Sequence, residues 1–118
     1  MFKDMTWSRA EKKAARAAFD LAYRRECAAL LARVKQMAAA AAEPDDLWAL
    51  SDYLWEHRQE IDDKYDYRYS VLILVFARLL SEGWLQLSDL EALSEDKLSV
   101  IRRLEAFGSE DEEADPSD

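Results

Sequence analysis

"SRAEKKAARAAFDLAYRRECAALLARVKQMAAAAAEP", residues 8–44, runs from a helix-capping signal to a proline with no glycine or proline between them. Ser8 and Glu11 have the S-x-x-E spacing of a capping box, in which each side chain satisfies a backbone N–H of the other residue. Phe19, Tyr23, Cys27, Leu30, Val34, Met37 and Ala41 then step by threes and fours, which keeps them on one stripe of a helix. A helix of ~34 residues is ~50 Å long. One small domain cannot cover such a stripe with its own contacts unless a second helix folds back along it. The length predicts a dimerising stem at least as readily as an ordinary core helix.

Pro44 ends this helix, because proline disfavours helical geometry at the preceding residue. Asp45 or Asp46 is expected to cap the next helix. Leu47, Leu50, Leu54, Ile61 and Tyr65 form its expected buried face. So short a connection predicts an antiparallel neighbour and hence a long helical hairpin. Leu30 and Val34 on the first helix, with Leu50 and Leu54 on the second, are the candidate dimer contacts.

"SVLILVFARLLSEG", residues 70–83, is the segment where helix and strand compete. Its β-branched start looks strand-like, but the apolar character continues to Leu80, which is about a helix's length. Gly83 is placed to end that helix in a left-handed conformation, with Trp84 packing back. Ser88 and Glu91 predict a second capping box, and Ser94 a cap for a final helix with Leu98, Ile101 and Leu104 inward, ending near Gly108. The expected fold is all-α. A stem of two long antiparallel helices (about residues 8–66) carries a small helical head (about 67–108), within a single domain over residues 1–108, and the stem is a candidate for pairing as a homodimer.

The 118 residues suit one domain with a modest core. Half are hydrophobic and 35% charged, with only two glycines and two prolines, which argues against a turn-rich β fold. The net charge of −9 is concentrated in "SEDEEADPSD", residues 109–118, whose six acids leave only −3 for the rest. That tail has nothing apolar to bury and is expected to be disordered. A mildly acidic body disfavours nucleic acid as a partner. The apolar run "VLILVFA" is too short to span a membrane. One cysteine, Cys27, excludes an internal disulfide, and the start of the chain lacks the apolar segment of a secretory signal. A cytoplasmic protein is expected.

Residues 46–70, "DLWALSDYLWEHRQEIDDKYDYRYS", crowd two tryptophans, four tyrosines and ten charges together. A metal site is disfavoured. His57 is the only histidine, the acid that a di-iron E-x-x-H pattern needs is Leu54, and a calcium loop begun at Asp62 would have Tyr67 for its glycine and Ile73 for its closing glutamate. No glycine-rich phosphate loop occurs, Cys27 reads as a small apolar residue, and His57 reads as a solvated one. No catalytic residue and no cofactor are assigned. Trp48 and Trp55 project on one side of a helix with Asp52 between them, and tryptophan and arginine are enriched at interface hot spots. Arg58 lies about a third of a turn around the axis from Asp52, so each needs a partner elsewhere.

The stretch from Asp46 to Gly83 resembles the signature region of the fluorescence recovery protein family of cyanobacteria and its bacterial relatives. The matching features are D-L-W-x-L, Asp52, Arg58, "EID" at 60–62, "KYD" at 64–66, Arg68, "SV" at 70–71, "VFA" at 75–77 and "EG" at 82–83. "WSRAE" at 7–11, Phe19, "AY" at 22–23 and "RE" at 25–26 extend the resemblance over most of the chain. It implies a non-enzymatic helical homodimer that binds the photoactivated orange carotenoid protein, a carotenoid-binding photoprotein, and speeds its return to the resting form. It also implies a partner-binding patch at Trp48, Asp52 and Arg58, with Leu47 as a dimer contact. The chain departs from the family pattern at Ser51 (a histidine in the family), Leu74 (an aromatic) and Val100 (a basic residue), which predicts a weaker effect. The alternative expectation is a helical scaffold or stress-related module with a different client.

Overall fold

The computed structural model describes residues 5–113. Four α-helices and one 3₁₀ turn make up the fold, with no strand among the described residues: α1 (Arg9–Ala40), α2 (Pro44–Lys64), α3 (Leu72–Ser81), the turn (Leu87–Leu90) and α4 (Glu95–Glu113). The predicted Ser8–Glu11 capping box is present. The Ser8 N–H donates to Glu11 Oε1 at 3.0 Å and the Glu11 N–H to Ser8 Oγ at 3.1 Å. From there α1 runs 32 residues without a break.

Pro44 does more than end α1. It is the first residue of α2, where its fixed φ suits the helix and its missing N–H costs nothing. The cap is therefore Glu43, not Asp45 or Asp46. Asp46 serves three residues on, where its Oδ2 accepts the N–H groups of Ala42 and Glu43, both at 3.0 Å. α2 returns antiparallel to α1, with Phe19 packing edge-on to Tyr65 just past its end while Met37 lies beside Ala49 near its start.

The competition over residues 71–80 is won by helix. Leu72, Ile73, Phe76 and Leu79 of α3 are fully buried, which confirms a helix enclosed on most sides, although Leu74 is 46% exposed. Gly83 ends it at φ +86°. The Gly83 N–H donates to the Leu80 carbonyl at 3.1 Å and the Trp84 N–H to the Leu79 carbonyl at 2.9 Å, the paired bonds of a Schellman motif. The second capping box lies two residues earlier than Ser88 and Glu91. Here the Gln86 N–H donates to Asp89 Oδ2 at 2.9 Å, and the segment closes as a single 3₁₀ turn. Ser94 does cap α4, through its Oγ and the Lys97 N–H. α4 passes through Gly108 to Glu113, five residues beyond the expected end, because a glycine weakens a helix without stopping it. Of the tail expected to be disordered, residues 114–118 lie outside the described residues.

The core lies at one end of the molecule. Ala15, Ala18, Phe19 and Ala22 of α1 meet α3, Leu85, Leu90, Leu93 and Ile101 of α4. Burying each large apolar side chain there contributes about 1.5–3 kcal/mol. The rest of the α1–α2 hairpin has no such core. Leu47 and Leu54, expected to be buried, are 54% and 42% exposed, and Leu50 is only half-buried. Two helices side by side can cover only the strip between them, so apolar residues on their flanks stay in solvent.

Candidate functional site

α2 carries the surface that the sequence singled out. At about 100° per residue, Trp48 and Asp52 stand about 40° apart, one turn from each other on the same side. Trp48 is 62% exposed, and Asp52 is exposed with no ion-pair or hydrogen-bond partner among the described residues. Arg58 is turned about 120° from Asp52. The structure thus brings Trp48 and Asp52 together on one face and sets Arg58 on another. Arg58 does have a partner in its own helix, which the reading of Asp52 alone missed. Its Nε lies 3.7 Å from Asp62 Oδ2, one turn further on, with both side chains largely in solvent. An exposed pair of this kind contributes little to stability, about 0.3–0.5 kcal/mol, so Arg58 is free to take a better acceptor.

Arg58 opens onto a groove of about 490 Å³ between the two helices, floored by Tyr23, Cys27 and Leu30 of α1 and by Leu54 and Trp55 of α2. Leu30 and Val34 are half-buried along α1. Trp55 is 65% exposed, so the two tryptophans widen the apolar surface as expected. The Tyr23 phenol is pushed up from its ordinary pKa, first by its hydrogen bond with the Cys27 thiol and then by the thiol's charge and by burial. Cys27 is thus a half-buried partner of a tyrosine.

His57 is half-buried rather than solvated. Its Nδ1 donates to the Tyr53 carbonyl at 2.9 Å, and its ring lies 4.1 Å from that of Tyr53. No group of histidine, cysteine, aspartate and glutamate side chains among the described residues is arranged to hold a metal.

Sequence reasoning missed the cluster at the inner end of the hairpin. The Lys64 side chain, inside a run of charges, is 1% exposed, with its Nζ 2.6 Å from Glu26 Oε2 and 2.6 Å from Glu82 Oε1. Tyr65 Oη donates to Glu26 Oε1 at 2.8 Å. Burial raises the Tyr65 pKa most, and the hydrogen bond to Glu26 and its charge raise it further. Burial alone would also raise the Glu82 carboxyl, but hydrogen bonds from Lys64 and Arg78 bring it below its ordinary range.

An exposed aromatic face on a two-helix hairpin, beside a leucine-floored groove, is the kind of surface found where proteins meet other chains. The model of the family described as "Photoprotection regulator fluorescence recovery protein" matches residues 7–105. The fluorescence recovery protein of Synechocystis sp. (strain PCC 6803) is 50% identical over 98 residues, which span 83% of this chain and 90% of that protein. The solved structure of the Fremyella diplosiphon fluorescence recovery protein superposes with a TM-score of 0.82 at 46% identity, covering 86% of this chain and 99% of the other. The Synechocystis structure gives 0.81 at 49% identity, covering 84% and 97%. The chain belongs to the fluorescence recovery protein family. It is a photoprotection regulator, not an enzyme.

Proposed function

We propose that this chain works in the cytoplasm as a homodimer, with the α1–α2 hairpin as stem and the α3–α4 unit as head. In that form it binds the photoactivated orange carotenoid protein and accelerates its return to the resting form. The observation that carries the reading is the exposure of Leu31, Leu47, Trp48, Leu54 and Trp55 on a hairpin with no core of its own. Large apolar side chains exposed along one hairpin are what a surface for another chain offers, which supports this reading. A second copy laid along the hairpin would cover Leu47, Leu50, Leu54, Leu30 and Val34. Trp48, Asp52 and Arg58 would stay at the edge of that contact, available to the photoprotein.

Trp48 supplies aromatic area to bury, while Asp52 and Arg58 supply charged, directional hydrogen bonds. Acceleration without a cofactor follows from differential affinity. A partner shifts an equilibrium only by the difference in its affinity for the two conformations, and it speeds the change only by favouring the transition state. No helix among the described residues is long and apolar enough to cross a membrane. The test is size-exclusion chromatography of this chain with orange carotenoid protein in the dark and under blue light. Co-elution that is stronger under blue light is expected. Separate elution in both conditions would favour the scaffold reading, with a different client.

A further inference from the structure

Glu11, Ala15, Ala18, Ala22 and Glu26 recur on α1 at intervals of three and four, so they share one face. The three alanines are buried under the α3–α4 unit. Alanines present low ridges, so apart from the buried Phe19 ring this face meets its neighbour through small side chains. Buried ion pairs tie this packing at two points, about 22 Å apart along α1 at 1.5 Å per residue, where Glu11 and Glu26 each meet a buried lysine.

The two points are built differently. At Glu11 the carboxylate accepts backbone N–H groups from Ser8 and Ser94, at 3.0 and 2.9 Å, as well as the Lys97 ammonium. Lys97 in turn donates to the Thr6 carbonyl at 2.6 Å. Backbone donors cannot rotate away. At Glu26 every contact is between side chains: Lys64 bridges Glu26 and Glu82, Tyr65 Oη donates to Glu26, and Arg78 Nε donates to Glu82 Oε2 at 2.8 Å. Glu82 is 28% exposed and Arg78 47%. Glu82 Oε1 also accepts the Trp84 Nε1–H at 3.2 Å, and by giving up that bond and Lys64 together Glu82 can swing out to Arg78 and solvent while Lys64 keeps Glu26 as its counter-ion. Arg25, 43% exposed, adds a further tie at this end by donating to the Trp84 carbonyl and to Asp89.

We propose that the Lys64–Glu26–Glu82 cluster is a releasable clamp: when Glu82 leaves Lys64, the α3–α4 unit pivots on the alanine face of α1 about the fixed Glu11–Lys97 point. The groove of about 490 Å³ that lies between His57 of α2 and Glu82 and Trp84 beyond α3 widens as it does so. In some proteins a buried ion pair specifies an arrangement more than it adds stability, and here Glu82 has two cations to choose between, Lys64 and Arg78.

The experiment places spin labels at Lys35→Cys on α1 and Ser88→Cys on the 3₁₀ turn, in a Cys27→Ser background. Labelled protein is diluted with unlabelled protein so that only distances within one chain are read. Pulsed electron paramagnetic resonance should give one narrow distance for the otherwise unaltered chain. Glu82→Gln, folded by circular dichroism, should add a second, longer population. Arg78→Ala, which removes the competing cation, should keep the single narrow one. A Glu82→Gln distribution that superimposes on the parent's would overturn the proposal. So would failure of Glu82→Gln to fold, since a contact that opens in normal operation is not required for folding.

Discussion

Glu11 and Lys97 meet across 86 positions of sequence, with the ammonium 3.2 Å from each carboxylate oxygen. Burial alone would raise the Glu11 pKa. The N–H groups of Ser8 and Ser94 and the Lys97 ammonium outweigh it and hold the carboxyl at about 2. A folded-state pKa below the unfolded one contributes stability that is complete above about 4.5 and is lost as pH falls toward about 2. Glu11→Gln leaves a buried ammonium without its counter-charge and should cost about 3 kcal/mol at neutral pH. Thermal melts of the two proteins should differ widely at pH 7 and draw together only as pH falls from about 4.5 toward about 2. A gap that does not narrow would show that the charge on Glu11 is not what stabilises this contact.

Gly83 and Gly108 should respond to alanine with opposite signs. Gly83 sits at φ +86° and nothing lies within 4 Å of an added Cβ, so Gly83→Ala carries only the cost of the left-handed backbone, about 1 kcal/mol. Gly108 lies inside α4, also with open space around it, so Gly108→Ala should stabilise by up to about 1 kcal/mol. Urea denaturation of both variants decides this. A destabilising Gly108→Ala would mean that α4 does not continue through that position in solution.

These elements also mark what could be read from the sequence. α3 was legible because its apolar run exceeds a strand's length and ends on a glycine suited to a left-handed turn. The start of α2 was misplaced because Pro44 serves both helices, and Asp46 caps from inside the first turn. The buried Lys64 was not legible, since its counter-ions Glu26 and Glu82 stand 38 and 18 positions away and its neighbours in sequence are charged. Leu47 and Leu54 show the limit of periodicity. A stripe says which face is apolar, but not whether the surface that covers it belongs to the same chain.

The proposed dimer makes Leu47 its most sensitive position, because a residue 54% exposed in the single chain tolerates charge and one buried between copies does not. Leu47→Glu should leave helicity intact by circular dichroism and shift the mass from dimer to monomer in light scattering at micromolar concentration. A buried, uncompensated charge costs several kcal/mol, enough to dissociate a micromolar dimer. Monomeric unmodified protein at that concentration would contradict the dimer.

The three patch residues should separate by mechanism. Trp48→Ala removes buried aromatic area, about 2 kcal/mol or more at a hot spot, and should slow the photoprotein's recovery at every salt concentration. Asp52→Ala and Arg58→Ala remove charge, so their deficits should shrink as added salt weakens the parent's own electrostatic contacts. Because Arg58 and Asp62 are only loosely paired, Asp62→Ala should leave recovery nearly unchanged. Deficits that ignore salt in all three variants would mean that the surface acts through apolar contact alone.

The most direct measurement is the absorbance of orange carotenoid protein returning to its resting form in the dark after blue light, with and without an excess of this chain. The proposed function predicts faster recovery that rises with the concentration of the chain, needs no added cofactor or nucleotide, and is weakened by Trp48→Ala. Recovery at the same rate with and without excess protein would contradict it.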